Sequence, residues 1–191
     1  MAVKETKKDQ LIEIASKLFF EQGYRATGIQ QIIDAAGIAK GTFYSHFRSK
    51  EELGLAWLQT RHGEWVKQRQ AYVSKASSAP DKQILALFDM LGEWMTNCDF
   101  RGCAFLNTLA ETPDFTCPMR CEILQHKRGM LDFIRALVDQ HLPEASDDDN
   151  AQRAGAIYLL LEAAMIEAQN FRCSWPITVA KRQSEIILAT R

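Results

Sequence analysis

Five side chains that could meet a polyanion crowd into the stretch GIAKGTFYSHFRSKEEL, residues 37–53: Lys40, Tyr44, His46, Arg48 and Lys50. On a helical wheel at about 100° per residue, Ala39, Phe43 and Phe47 share one side. Gly41, Thr42, Tyr44 and Ser45 take the opposite side, with Lys40 and His46 at the flanks. Lys40 can donate to guanine O6 and N7 in a major groove, and Thr42 and Tyr44 can meet a thymine methyl or a phosphate. Lys50 falls in the first turn of the next helix, where an ammonium beside free N–H groups attracts phosphate. Any one of these residues alone is an ordinary solvated side chain. Together, with phenylalanines inward and hydrogen-bonders outward, they are what a recognition helix requires.

Sulfur is the second candidate chemistry. Cys98, Cys103, Cys117, Cys121 and Cys173 are odd in number and cannot all pair within the chain. Cys117 and Cys121 stand four apart at a helix start, where the helix dipole would lower a thiol pKa. Arg101 precedes Cys103 in RGC, another setting that activates sulfur. Cys103, Cys117 and Cys121 are therefore candidate thiol sensors. With no CxxC pair and no histidine cluster, no metal and no cofactor are expected. The four histidines are scattered, and neither a nucleophile elbow nor a phosphate-cradling glycine loop is present. Glu111, Glu162 and Glu167 read as helix caps or as partners for a polar group on a ligand. A small cytoplasmic helical enzyme is thus only a distant alternative.

The elements that must position these groups are helices nearly throughout, since apolar residues recur with period 3.6 and rarely with period two. A first helix spans about Lys7–Gln22, with Leu11, Ile14, Ala15, Leu18 and Phe19 as its stripe and Gly23 ending it. Thr27 and Gln30 suit a capping box for the second helix, and Gly37 permits a sharp turn before the third. Ser49 and Glu52 suit a second capping box, opening a fourth, linking helix from about 49 to 75. That layout describes a helix-turn-helix unit over residues 1–54. A helical body over 55–191 follows the joint SKASSAPD. In it, residues 99–118 read as irregular, and helices are expected at about 118–141, 151–172 and 177–190.

Charge distribution agrees with this division of labour. The chain of 191 residues has a formal net charge of -1, so no general affinity for polyanions follows. Residues 1–50 carry eight basic and five acidic side chains, while the remainder carries 15 and 19. A basic head on an acidic body suits local contact with a polyanion. The start MAVKETKKDQ lacks the apolar core of a secretory signal, and Glu162 and Glu167 break the most apolar stretch. A reduced, cytoplasmic setting without membrane contact is expected.

Residues about 9–55, LFFEQGYRATGIQQI followed by AAGIAKGTFYSHFRSKEEL, resemble the DNA-binding domain of the TetR family of transcriptional regulators. Two departures are mild: Ile33 stands where a smaller Ala is usual, and Ala39 where Ser or Thr commonly caps the recognition helix. The resemblance implies an all-α fold of about nine helices, with a C-terminal effector-binding and dimerisation domain. By similarity, Lys40, Gly41, Thr42 and Tyr44 would meet bases or adjoining backbone, and Thr27, His46 and Lys50 would hold phosphates. It further implies a homodimer that represses from a palindromic operator on double-stranded DNA and is released by a small apolar effector. A cysteine-based redox or electrophile sensor of the same fold is the alternative. Candidate pocket residues are Trp94, Met95, Cys103, Phe105, Leu106, Phe115, Met119 and Met165. Ile157, Tyr158, Leu161, Ile186 and Ile187 are expected at the dimer interface, because with Met165 they exceed what one small body could cover.

Overall fold

A computed structural model describes residues 6–114 and 116–190. Among them are nine α-helices: α1 (Lys7–Gln22), α2 (Ile29–Ala36), α3 (Lys40–His46), α4 (Lys50–Ala76), α5 (Pro80–Asn97), α6 (Ala104–Glu111), α7 (Pro118–His141), α8 (Asp147–Phe171) and α9 (Trp175–Ala189). Two compact units divide them: residues 1–63 with 104–124, and residues 64–103 with 125–191.

In the first unit, α1 is opened by Thr6, whose hydroxyl accepts the Asp9 N–H while the Asp9 carboxylate accepts the Thr6 N–H. Leu11, Ala15 and Phe19 of α1 are buried, as are Ile32 and Ile33 of α2 and Leu53, Trp57 and Leu58 of α4. The Phe19 and Trp57 rings pack 5.1 Å apart, and the Trp57 indole N–H donates to Ser16 Oγ at 3.0 Å. That bond lets a large aromatic enter the core without stranding its donor. Between α2 and α3 the chain turns at Gly37, with φ 61°. The Gly37 N–H donates to the Asp34 carbonyl and the Ile38 N–H to the Ile33 carbonyl, so a Schellman motif closes α2 and aims α3.

Two details depart from expectation here. The N-cap of α2 is Gly28, not Thr27, and no side chain caps it. Thr27 is fully buried, and its hydroxyl donates to the Gly23 carbonyl at 2.8 Å, tying the α1–α2 connection to itself. Gln30 instead donates to Asp34 at 2.8 Å along the helix. The second capping site holds: the Ser49 hydroxyl accepts the Glu52 N–H at 3.1 Å, and the Glu52 carboxylate accepts the Arg48 N–H at 2.7 Å.

In the second unit, α8 and α9 form an antiparallel hairpin through the left-handed Arg172, and the Arg153 guanidinium near the start of α8 donates to the Ile187 carbonyl near the end of α9. Helix α5 packs on both, burying Ile84, Leu87, Phe88, Leu91 and Met95. Helix α8 starts a turn earlier than its apolar pattern suggests, because Ser146 accepts the Asp149 N–H and three aspartates occupy the favourable first turn. Residues 99–118, expected to be irregular, contain α6 within the first unit. Its eight residues lie between Gly102, with φ 81°, and Pro113, and are too few for periodicity to show.

Candidate nucleic-acid interface

Helix α3 holds its position through two rings. Phe43 is completely buried and Phe47, its C-cap, is 1% exposed. Their centroids lie 6.3 Å apart, and the Lys8 ammonium sits 5.6 Å from the Phe47 ring. The opposite face is open: Lys40, Gly41, Tyr44 and Ser45 are exposed, and Thr42 and His46 are half-buried. Tyr44 leans edge-on against Phe43 at 5.2 Å and is still 44% exposed, so its ring is braced while its hydroxyl end is free to reach outward. Ser45 is turned back along the helix, donating to the Thr42 carbonyl at 2.7 Å. No side chain caps α3 at Ala39, in keeping with the departure noted in the sequence.

Beside this face lies Lys50. Its ammonium donates to the Arg25 carbonyl at 3.2 Å and lies 4.5 Å from the centroid of the Tyr24 ring. Burial lowers its pKa and the Glu111 carboxylate opposes the shift. Burial likewise pushes the Tyr24 phenol up to about 12, so the ring below the ammonium stays neutral. The two contacts hold a half-buried cation at the edge of the α3 face.

Glu111, at the end of α6, reaches the same place. Its carboxylate accepts the Arg25 N–H and lies against Gly23, where an added Cβ would come within 2.8 Å of Oε1. Gly23, at φ 100°, therefore serves both the backbone turn and this close approach. The sequence reading left Glu111 as a cap or a ligand's partner; its partner is a main-chain amide 86 residues away. Thr27 needs the reverse correction, since a buried hydroxyl already donating to Gly23 cannot present itself to a phosphate.

The family description "Bacterial regulatory proteins, tetR family" matches residues 11–56, which is the stretch that builds this face. Residues 11–56 thus carry the N-terminal domain of the TetR family of transcriptional regulators. The HTH-type transcriptional repressor NemR of Escherichia coli K12 is 24% identical over 191 residues, covering 96% of this chain and 94% of NemR. The repressor DhaR of Mycobacterium sp. GP1 is 30% identical over 118 residues, 62% of this chain and 58% of DhaR. A TetR-family regulator from Streptomyces coelicolor superposes with a TM-score of 0.82 at 28% identity, covering 95% of this chain and 94% of that one. The reduced form of E. coli NemR shares the fold with a TM-score of 0.82 at 23% identity, covering 97% and 98%.

The remaining expected sites scatter. Of the pocket residues, Trp94, Met95, Cys103 and Met165 belong to the second unit, and Phe105, Leu106 and Met119 to the first; Phe115 lies outside the described residues. Met95 and Met119 are packed as core, at 0% and 1% exposure. A groove of about 620 Å³ in the second unit contains none of them; Tyr72, Phe88, Gly92 and Ile177 are among its walls. Its charged groups are joined in pairs, with Tyr72 donating to Glu93 and Lys181 to Asp89, each at 2.6 Å.

At the expected dimer interface, Ile157 and Leu161 are buried within the subunit, at 0% and 5% exposure, and Met165 with them. Their burial within one subunit removes these three from the set that a second subunit would have to cover. The apolar side chains that do face outward on these helices are Leu159, Ile166, Phe171, Trp175, Val179 and Ile186, with Tyr158 and Ile187 half-buried. Cys117 is likewise corrected. Burial and its hydrogen bond to the Glu51 carboxylate at 3.0 Å push the thiol above its ordinary value, outweighing the N–H groups of the helix start. Cys121 is exposed and Cys103 is buried.

Proposed function

We propose that the chain is a homodimeric repressor whose α3 enters the major groove of a near-palindromic operator in the cytoplasm and whose release follows binding of a small effector. One observation carries the reading: α3 spends both of its phenylalanines on the core and exposes Lys40, Gly41 and Tyr44 on one face. In this reading Lys40, Gly41, Thr42 and Tyr44 meet bases or adjoining backbone, while His46 and Lys50 hold phosphates. Thr27, fully buried, makes no DNA contact in this reading. The outward apolar residues Leu159, Ile166, Val179 and Ile186 support pairing of two subunits through α8 and α9. A dimer then presents two reading helices about 34–36 Å apart, one turn of duplex. No helix among the described residues is long and apolar enough to cross a membrane, which accords with a cytoplasmic regulator. Residues 1–54 serve as the DNA-binding domain and 55–191 as the effector and dimer domain.

A salt series on duplex DNA tests it. Footprinting on the DNA upstream of its own gene should show one protected palindrome, with log affinity falling linearly as log salt rises, by about 0.9 per phosphate neutralised. Uniform weak binding to every duplex, without a protected site, would defeat the proposal.

A second reading, release by oxidants or electrophiles, is favoured by one cluster. The Lys127 ammonium lies 3.9 Å from Cys103 Sγ and 2.6 Å from Glu162, all in partly or fully buried surroundings. The ammonium contact singles out Cys103 as the thiol to test. Cys103→Ser should then abolish release of the operator by hypochlorite or N-ethylmaleimide, whereas Cys117→Ser should leave it unchanged. Equal sensitivity of Cys103→Ser and wild type would discard thiol sensing through this residue.

A further inference from the structure

Arg69 is a buried cation without a counter-charge. It lies in the second unit on α4, one turn after Trp65, and is 7% exposed. Its guanidinium carbon is 3.9 Å from the centroid of Phe133 on α7 and 5.0 Å from that of Trp65. Trp65 packs edge-on at 5.0 Å against His126, which is also buried. Among the described residues no carboxylate pairs with Arg69, and its Nε, buried from solvent, has no hydrogen-bond acceptor.

Removing a guanidinium from water is costly unless an acceptor replaces the water. Ring faces offset part of that cost, but they do nothing for the in-plane N–H donors. Burial alone, with no charge opposing or assisting it, lowers the pKa of this side chain. Arginine nonetheless stays charged, so the imbalance cannot be relieved by losing a proton. The Nε edge is also the one with which arginine grips a carboxylate in two parallel hydrogen bonds. Aromatic side chains around one charged anchor are the ordinary composition of a small-molecule site.

We propose that Arg69 anchors an effector bearing a carboxylate on an apolar body, seated against Trp65 and Phe133 between α4 and α7. The site deepens the repressor reading, and rests on it only for what binding does to the operator complex. The apolar effector implied by the family resemblance becomes, on this proposal, an amphipathic monoanion.

The test uses the full chain with benzoate, cinnamate and octanoate, each compared with its neutral amide at constant ionic strength. At least one carboxylate should raise the melting temperature of the wild type where its amide does not, because a ligand of the folded state stabilises it by mass action. Arg69→Met, close in volume and uncharged, should melt cooperatively, retain operator binding and lose the carboxylate shift. Arg69→Lys keeps the charge without the planar fork and should bind at least tenfold more weakly than wild type. If Arg69→Met does not fold, Arg69→Lys decides alone, and wild-type affinity in it overturns the proposal. So does a carboxylate shift that persists in Arg69→Met, or a wild type that no carboxylate of the series stabilises. Carboxylates that bind through Arg69 but never release the operator would uphold the site and defeat effector release. A neutral amide that releases wild type and Arg69→Met alike, with no carboxylate bound, would do the opposite.

Discussion

Tyr44→Ala is expected to weaken operator binding by roughly thirtyfold to more than ten-thousandfold while leaving the folded protein intact. A good side-chain contact to a base is worth about 1–3 kcal/mol, and a dimer makes it twice. The ring is 44% exposed and only leans on Phe43, so truncation opens no cavity in the core. Substitutions at such sites usually stay within about 0.5 kcal/mol in stability. Lys50→Ala should weaken binding for a different reason. It removes a phosphate contact from each subunit, so the loss should be similar on every duplex, and the salt slope should fall by about two per dimer. Titrations with operator and with scrambled duplex, at several salt concentrations, separate the two effects. Wild-type affinity in both variants would mean that α3 and the start of α4 do not face DNA.

Phe43→Ala carries the largest expected effect on stability. The ring is completely buried between α3 and the helices it packs on, and Phe→Ala changes in cores cost about 3–5 kcal/mol. Small domains have only about 5–15 kcal/mol to lose. At about 4–8 °C per kcal/mol for a unit of this size, the melting temperature of the N-terminal unit should fall by more than about 10 °C. Operator binding should disappear with it, since α3 is uncapped and too short to persist unpacked. Calorimetry and hydrogen exchange on the amides of α3 report both consequences. An unchanged melt together with intact binding would show that something other than Phe43 anchors the reading helix.

These two variants mark how far local sequence reaches. The inward side of α3 was legible because side chains on a helix are placed by their own spacing, and Phe43 and Phe47 recur at four residues. The turn at Gly37 was legible because a left-handed residue after a helix favours glycine for a steric reason confined to that residue. Helix α7 begins at Pro118 and ends at His141 as the pattern implies, proline being suited to a first turn. Helix α6 was hidden because two turns between Gly102 and Pro113 carry too little periodicity to separate from a loop.

The amino-acid sequence by itself determined an all-helical chain, a helix-turn-helix head and the face of α3 turned outward, since each follows from contacts within a few residues. Tertiary structure alone decided that Glu111 accepts the Arg25 N–H and that burial, with the Glu51 hydrogen bond, pushes the Cys117 thiol above its ordinary value. It alone buried Ile157 and Leu161 inside one subunit and left Arg69 between two rings without an acceptor. Those pairs join residues far apart in the chain, and their geometry depends on how whole helices cross and slide against one another. Local periodicity does not encode that.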